Sequence, residues 1–131
     1  MFKKTIKYTD FEGNDRTEDF YFNLTPAEIT EMDLCFNGGL QTIIEKITKE
    51  TNGRVLVELF KDLIRRSYGE KSIDGMRFMK NREITDSFTA TNAYSELFME
   101  FINDADSAAT FINGIIPKIP ENKSPIPAPA N

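Results

Sequence analysis

The chain has 131 residues, enough for one domain with a substantial core, and 40% of them are hydrophobic, with 11 phenylalanines and no tryptophan. A formal net charge of −5, from 16 basic and 21 acidic residues, argues against nucleic acid as the main partner, because phosphate binding requires clustered lysine and arginine. The sequence has no histidine, which excludes Ser-His-Asp and Cys-His catalysis, and no apolar run of the roughly 18 residues that a membrane-spanning helix needs.

Residues 2–24 predict a β-hairpin. Phe2, Ile6 and Tyr8 recur at even spacing, as do Phe20 and Phe22, and the intervening Glu-Gly-Asn-Asp supplies turn residues. The polar residues that alternate with these aromatics indicate that one face of the hairpin is exposed to solvent.

The following segment predicts a helix that begins with a capping box. Thr25 is a favourable N-cap, Pro26 suits the first helical position, and Glu28 is placed to reach back to the Thr25 amide. Asn-Gly-Gly at 37–39 ends this helix. We interpret the single cysteine, Cys35, as a small buried apolar residue, because no base lies nearby in sequence; its apolar neighbours on the helix are Ile29, Met32 and Phe36.

Two more helices are predicted before residue 70. The first carries one apolar stripe and stops at 52–53; the stripe consists of Leu40, Ile43, Ile44 and Ile47. The second has adjacent apolar pairs every four residues: Val55, Leu56, Leu59, Phe60, Leu63 and Ile64. We expect Leu59 and Leu63, in the middle of this stripe, to be buried, and Gly69 to close the helix.

Residues 70–80 predict either a small hairpin or an ordered loop. Asp74-Gly75 is a turn signal, and we expect Gly75 to adopt a positive φ that only glycine tolerates well. We expect Phe78 to tuck into the domain. Together with Gly69, these residues form a candidate structural loop.

The remaining apolar pattern predicts two or three helices. Asn81 is placed to cap a short helix, and Asn103-Asp104 to restart a longer one; Gly114 ends it and Pro117 prevents continuation. The longer apolar face comprises Ala93, Tyr94, Leu97, Phe98, Phe101, Ile102, Ala105, Ala108, Ala109 and Ile112. The sequence therefore predicts a mostly helical α+β fold: an N-terminal β-hairpin, five or six short helices, a single domain over 1–116 and a flexible proline-rich tail over 117–131.

No catalytic, cofactor or metal site is expected. The acidic pairs are explained by helix starts and solvent-exposed helix faces; they are Glu28 with Glu31, Glu96 with Glu100, and Asp104 with Asp106. A protein-interaction role is what remains.

Several short motifs, in combination and order, resemble the tail assembly chaperones of long-tailed, siphovirus-type bacteriophages and prophages of Gram-positive bacteria. The similarity extends over residues 5–117. Its main carriers are Tyr68-Gly69, Ser72, Asp74-Gly75, Phe78, the Ala-Tyr-Ser-Glu-Leu-Phe block at 93–98, and Phe-Ile-Asn-Gly-Ile-Ile-Pro at 111–117. That family provides no catalytic residues to transfer to this chain.

The resemblance implies a function in virion morphogenesis. Such chaperones hold the tape measure protein in the host cytoplasm while the tail tube polymerises, and they are absent from the finished particle. Many are made in two lengths by ribosomal frameshifting, and this chain would be the short product. The implied partners are the tape measure protein, the major tail tube protein and the longer form of the chain itself, with a homo-oligomer left open and neither nucleic acid nor membrane involved.

A partner helix would then lie in an apolar groove beside Tyr94, Phe98 and Phe101. Adenine-rich codons for residues 121–123 suggest a slip site at or just before residues 117–123. Two alternatives remain open at this point: a structural connector or terminator that stays in the virion, and a small cytoplasmic protein-binding adaptor unrelated to phages.

Overall fold

Four strands and six helices occupy the described part of the chain, which is residues 1–35, 39–49 and 53–117 of a computed structural model. In chain order they are β1 (Phe2–Thr9), β2 (Asp15–Phe22), α1 (Pro26–Cys35), α2 (Gly39–Lys49), α3 (Gly53–Ser67), β3 (Tyr68–Lys71), β4 (Phe78–Met79), α4 (Arg82–Thr89), α5 (Asn92–Asn103) and α6 (Ala105–Ile115). The predicted α+β class, with an N-terminal hairpin followed by helices, is confirmed.

The predicted N-terminal hairpin is confirmed. β1 and β2 pair antiparallel from Phe2 opposite Phe22 to Thr9 opposite Asp15. Within the connecting turn, the Asp10 amide donates to the carbonyl of Asn14 at 2.8 Å. The even-numbered aromatics of both strands face the helices, as the alternation predicts.

The hairpin is extended into a four-stranded sheet of order β1-β2-β3-β4, which the sequence did not predict. β3 pairs antiparallel with β2 through Gly69 opposite Tyr21, and β4 pairs with β3 through Phe78 opposite Lys71. The alternative of a small hairpin at residues 70–80 is therefore the correct one. Gly75 has the expected positive φ of 76° in its turn.

The interpretation of Gly69 and Phe78 as loop residues is wrong, because both lie in strands. α3 ends at Ser67, and the chain enters β3 at the next residue. A Cβ on Gly69 would lie 2.6 Å from Cε2 of Phe78, so glycine is present for close packing and not as a helix terminator. Only Asp74 and Gly75 of the predicted structural loop lie in a turn.

The predicted helix caps are confirmed. The Thr25 amide donates to Glu28 Oε1 at 2.8 Å, and the Glu28 amide donates to Thr25 Oγ1 at 3.2 Å, which completes the capping box. Asn81 Oδ1 accepts from the Ile84 amide at 2.8 Å. Asp104 accepts from two amides of the first turn of α6, so α5 and α6 are separate helices.

Gly114 does not end α6, contrary to the prediction. The helix continues to Ile115, and the carbonyl of that residue accepts from the Leu24 amide at 2.9 Å. A Cβ on Gly114 would lie 2.6 Å from Cδ1 of Phe2, so this glycine makes room for an aromatic ring of β1. The prediction is wrong for Gly69 and Gly114 in the same way. Local sequence rules make each of them a helix terminator, but in the structure each permits a close contact with an aromatic ring.

The burial of α3 is partly different from the prediction. Leu63 is fully buried as expected, but Leu59 is only half-buried. The buried face consists of Phe60, Leu63, Ile64 and Ser67. Leu59 lies about 90° around the helix from the centre of this face at 100° per residue, and so it sits at the flank.

The core is rich in phenylalanine, as expected from the composition. Rings from the sheet, α4 and α6 pack together around Phe22; we call this set the aromatic cluster, and it consists of Phe2, Phe20, Phe22, Tyr68, Phe88 and Phe111. Tyr68 and Phe88 stack with ring centroids 4.1 Å apart and planes at 12°. Desolvation, together with the nearby Glu70 carboxylate, raises the pKa of Tyr68 to about 12.

Several predictions concern positions outside the described residues or side chains. They are the apolar role of Phe36, the turn at residues 37–38, the stop at residue 52, the burial of Cys35 and Leu40, the slip site, and the tail over 117–131 except for Pro117.

Candidate protein-binding site

An apolar groove of about 340 Å³ opens between two pairs of helices. α2 and α3 form one wall, and α5 and α6 form the other; we call this feature the apolar groove, and its lining is Ile47, Leu56, Phe60, Phe101, Ile102, Ala105, Ala108, Ala109 and Ile112. None of the described residues that line it is charged. Such a surface is suited to contact with apolar side chains of another protein.

The spacing of small residues on α6 explains why the groove is open. Ala105, Ala108 and Ala109 lie at i, i+3 and i+4, and therefore share one face of the helix. Leu56 and Phe60 lie on the opposite wall. Because alanine ends at Cβ, these positions leave more room in the groove than longer side chains would.

The three predicted partner-binding residues are not equivalent in the structure. Phe101 is only 2% exposed and packs against Phe60 and Phe111, with centroids 6.3 and 4.6 Å away, yet it contributes to the lining of the groove. Tyr94 and Phe98 are half-buried, and their ring centroids are 5.9 Å apart. Neither residue lines the groove. The geometry thus shifts the candidate site from Tyr94 and Phe98 towards Phe101.

The opposite wall of the groove was missed by sequence reasoning. Ile47, Leu56 and Phe60 were assigned correctly to apolar stripes, but a stripe does not indicate which helix it faces. The one sequence signal for the groove is that the apolar stripe of α6 continues through three alanines, which indicates a helix face with short side chains. This signal alone does not identify a groove.

A lysine that the sequence analysis did not single out joins three elements next to the sheet. Lys80 Nζ donates to the carbonyls of Asn23 and Arg66 at 2.6 and 2.9 Å, and to Glu28 Oε2 at 2.7 Å. The three ammonium protons thereby hold the end of β4 against the loop before α1 and the end of α3. This is a structural role, and it fixes the relative positions of α1 and α3.

The turn between β3 and β4 is held by a side-chain network. Asp74 Oδ1 accepts from Ser72 Oγ at 2.6 Å and from the Met76 amide at 3.0 Å. These hydrogen bonds stabilise the carboxylate, and they hold the pKa of Asp74 below its ordinary value. The network accounts for Ser72, Asp74 and Gly75 as turn-forming residues.

Comparison with known protein families identifies the broad role of the chain. The profile of a family described as phage tail assembly chaperone matches residues 1–124, which include all the described residues. The chain belongs to this family. No curated protein and no solved structure matches it.

Membership in the tail assembly chaperone family confirms the general part of the resemblance found in the sequence. The family connects the chain with bacteriophages and implies that it binds tail proteins, in a role that does not require catalysis. Among the described residues, no cluster of acidic or cysteine side chains is arranged to hold a metal ion. A search of the same residues finds no helix both long and apolar enough to span a membrane.

Proposed function

We propose that this tail assembly chaperone binds the tape measure protein through the apolar groove and keeps it soluble while the tail tube assembles. The observation that supports this proposal is the groove itself: an apolar channel between two pairs of helices that the described side chains leave unfilled. Long helical proteins present apolar stripes that aggregate when they are not covered. A chaperone that covers such a stripe would prevent this.

The occupant we propose is an amphipathic helix of the tape measure protein. Helix-in-groove binding places apolar side chains at i, i+3, i+4 and i+7 against a hydrophobic channel. The alanine face of α6 lets another helix approach closely, and Ile102, which is 37% exposed, supplies an apolar side chain at the edge. Phe60 and Phe101, which are 4% and 2% exposed, are the two rings in the lining, and they are held in place by the core behind them.

The biological setting that we propose is the cytoplasm of a Gram-positive host infected by a siphovirus-type phage or carrying a prophage. The chain would be the short product of a frameshifted gene pair, and its longer form and the tail tube protein would be additional partners. It would be absent from the mature virion. If purified particles contain the chain in stoichiometric amounts, it is a structural tail component instead.

The direct test is co-expression with the tape measure protein encoded by the same genome. We expect the soluble yield of the tape measure protein to increase several-fold when the chain is present. Ile102→Glu and Ala109→Glu place a carboxylate in the groove, where desolvation opposes binding, and each is expected to weaken the complex by about tenfold or more. Binding is measured by pull-down and by titration calorimetry with a tape measure fragment.

The matched control is Met76→Glu. Met76 is 81% exposed in the turn between β3 and β4, and it is not part of the groove lining. The Met76→Glu variant is expected to bind the tape measure protein as tightly as the wild type does. An identical soluble yield with and without the chain would contradict the proposed function, whereas equal weakening by Met76→Glu would contradict only the location of the site. Reading the gene in the −1 and +1 frames past residue 117 tests the frameshift separately.

A further inference from the structure

The outer edge of β1 has no neighbouring strand in the described part of the chain, and it lies beside a helix. β1 is the first strand of the sheet order, and among the residues that the structure describes only β2 pairs with it. Because the Asp10 amide bonds to the carbonyl of Asn14, the alternation of an antiparallel ladder turns the backbone groups of Lys3, Thr5 and Lys7 away from β2. These N–H and C=O groups form a row that is ready to pair with another strand.

α5 lies beside this edge, and the helix and the strand together enclose a groove of about 490 Å³. Four consecutive residues of β1, from Lys4 to Lys7, form one side of it. The other side comes from one face of α5, with Glu96, Met99, Glu100 and Asn103 at i, i+3, i+4 and i+7, and from Asp104 directly after this helix. A channel between a strand edge and a helix is the arrangement in which extended peptides add to a sheet. We call it the edge groove.

Charge indicates which kind of strand fits. β1 carries three lysines and no acidic residue, and within the described residues Lys3 and Lys7 take part in no ion pair. On its paired side β1 already has an acidic neighbour, where Thr5 Oγ1 donates to Asp19 Oδ1 at 2.6 Å. An added strand with acidic residues beside Lys3 and Lys7 would place opposite charges next to each other across the open edge.

The side of the edge groove next to α5 requires different chemistry. Met99 is 50% exposed there, and the carboxylate of Glu100 is already paired with Lys4 Nζ at 2.6 Å. Glu96 and Asp104 also line this side, so an acidic side chain of an added strand would be repelled if it pointed towards α5. Alternate side chains of an added strand would point towards Met99, where apolar groups are favoured. The occupant that fits both sides alternates acidic or hydroxyl residues with aliphatic ones.

We propose that the edge groove binds an extended acidic segment of a partner protein, which adds to β1 as a fifth strand. Pairing of β1 with β1 of a second copy is disfavoured, because it would bring two lysine-rich strands together. This inference does not depend on the apolar groove, which lies on α2, α3, α5 and α6. Its test does not require the tape measure protein.

The test uses three synthetic peptides of about eight residues, the length of a typical longer strand. The first alternates aspartate or threonine with valine or isoleucine, the second has lysine in place of aspartate, and the third is the first with N-methyl groups on alternate backbone nitrogens. Fluorescence anisotropy should show that the acidic peptide binds at least about tenfold more tightly than either of the others, with affinity decreasing as salt increases. The N-methylated peptide distinguishes strand addition from simple charge attraction.

Variants locate the site. Lys3→Glu combined with Lys7→Glu should reverse the preference between the acidic and basic peptides. Met99→Asp should weaken binding of the acidic peptide by about tenfold, while Met76→Asp, at an exposed methionine outside this groove, should not change it. Amide resonances of residues 3–7 should shift on titration.

Other outcomes would overturn the proposal. Equal affinity for the acidic and basic peptides, or for the N-methylated one, would exclude strand addition at a charged edge. Resonance shifts confined to β4 or to the apolar groove would place the peptide elsewhere. A dimer in sedimentation experiments that is lost in the Lys3→Glu and Lys7→Glu double variant would show that a second copy occupies the edge.

Discussion

The aromatic cluster and the apolar groove use the same kinds of residue with opposite results. In the cluster, Phe22 and Phe111 are both 0% exposed, and each contacts several other rings. In the groove, Phe60 and Phe101 are almost as well buried, at 4% and 2% exposed, but the alanines of α6 line a channel of about 340 Å³ beside them. The first region is completed by its own side chains, and the second is left open.

The difference shows how a small domain can combine stability with an apolar binding surface. Close ring packing across the sheet supplies the stability, since aromatic side chains bury large areas and interact with one another. The open channel contributes less to folding because its lining residues lack contacts on one side. A substitution should therefore affect folding in the cluster and binding in the groove, and four predictions examine that separation.

The largest effect is expected for Phe22→Ala. It removes a fully buried ring that contacts Phe2, Tyr68, Phe88 and Phe111, and it leaves a cavity in a closed region. We expect the free energy of unfolding to fall by about 3–5 kcal/mol, measured by chemical denaturation. A loss below about 1 kcal/mol would mean that the cluster is not the stabilising region.

α3 contributes Leu63 to the hydrophobic core as well as residues to the groove wall, and it offers a paired test. Leu63 is 0% exposed, so Leu63→Ala should cost about 2–5 kcal/mol, whereas the flanking Leu59→Ala should cost about 1 kcal/mol. Thermal and denaturant melts of the two variants check this. Equal losses would show that both leucines face the core, as the sequence pattern alone suggested.

The β3–β4 hairpin, which follows Tyr68 of the cluster, depends on one backbone conformation. Gly75 has a φ of 76° and Gly53 has no positive φ, and a Cβ at either position meets nothing within 4 Å. We expect Gly75→Val to cost about 1–3 kcal/mol because of backbone strain, and Gly53→Val to change stability by less. Both variants add the same side chain, so a difference between their denaturation curves measures the backbone strain at Gly75. If Gly53→Val is the more damaging, the strain argument is wrong.

The smallest effect on folding is expected when the groove is filled. Ala109 is exposed on the groove wall, so Ala109→Leu should change the free energy of unfolding by less than about 0.5 kcal/mol while it weakens tape measure binding. The same enlargement at Ala93, which is 0% exposed, should cost about 1–3 kcal/mol by overpacking. If Ala109→Leu destabilises as much as Ala93→Leu, the groove is not open.

Local features of the fold were accessible from the sequence. Thr25, Asn81 and Asp104 cap helices because their side chains bond to amides only two or three residues away. The β1–β2 hairpin has a strong alternating pattern and a short turn. Gly75 was recognisable because a turn signal specifies its own backbone angles.

Long-range features were not accessible. Gly69 and Gly114 follow apolar helical stripes, and local rules make a glycine in that place a terminator; the rings of Phe78 and Phe2 that require them come from other elements. The pairing of β3 with β2 and the three hydrogen bonds of Lys80 likewise join distant segments. For the candidate site, Phe101 lines the groove and stays a prediction as a partner-binding residue, whereas the facing wall on α2 and α3 depended on tertiary packing.

The carboxylate of Glu28 accepts hydrogen bonds from two segments that are distant along the chain. Its Oε1 accepts from the Thr25 amide at the start of α1, while its Oε2 accepts from Lys80 Nζ after β4. Glutamine at position 28 would keep the cap but lose the negative charge that Lys80 requires, so the acceptable residue at one position depends on the other. During divergence of the family, positions 28 and 80 should therefore be exchanged as a pair, and an evolutionary path that changes either one alone passes through a less stable intermediate.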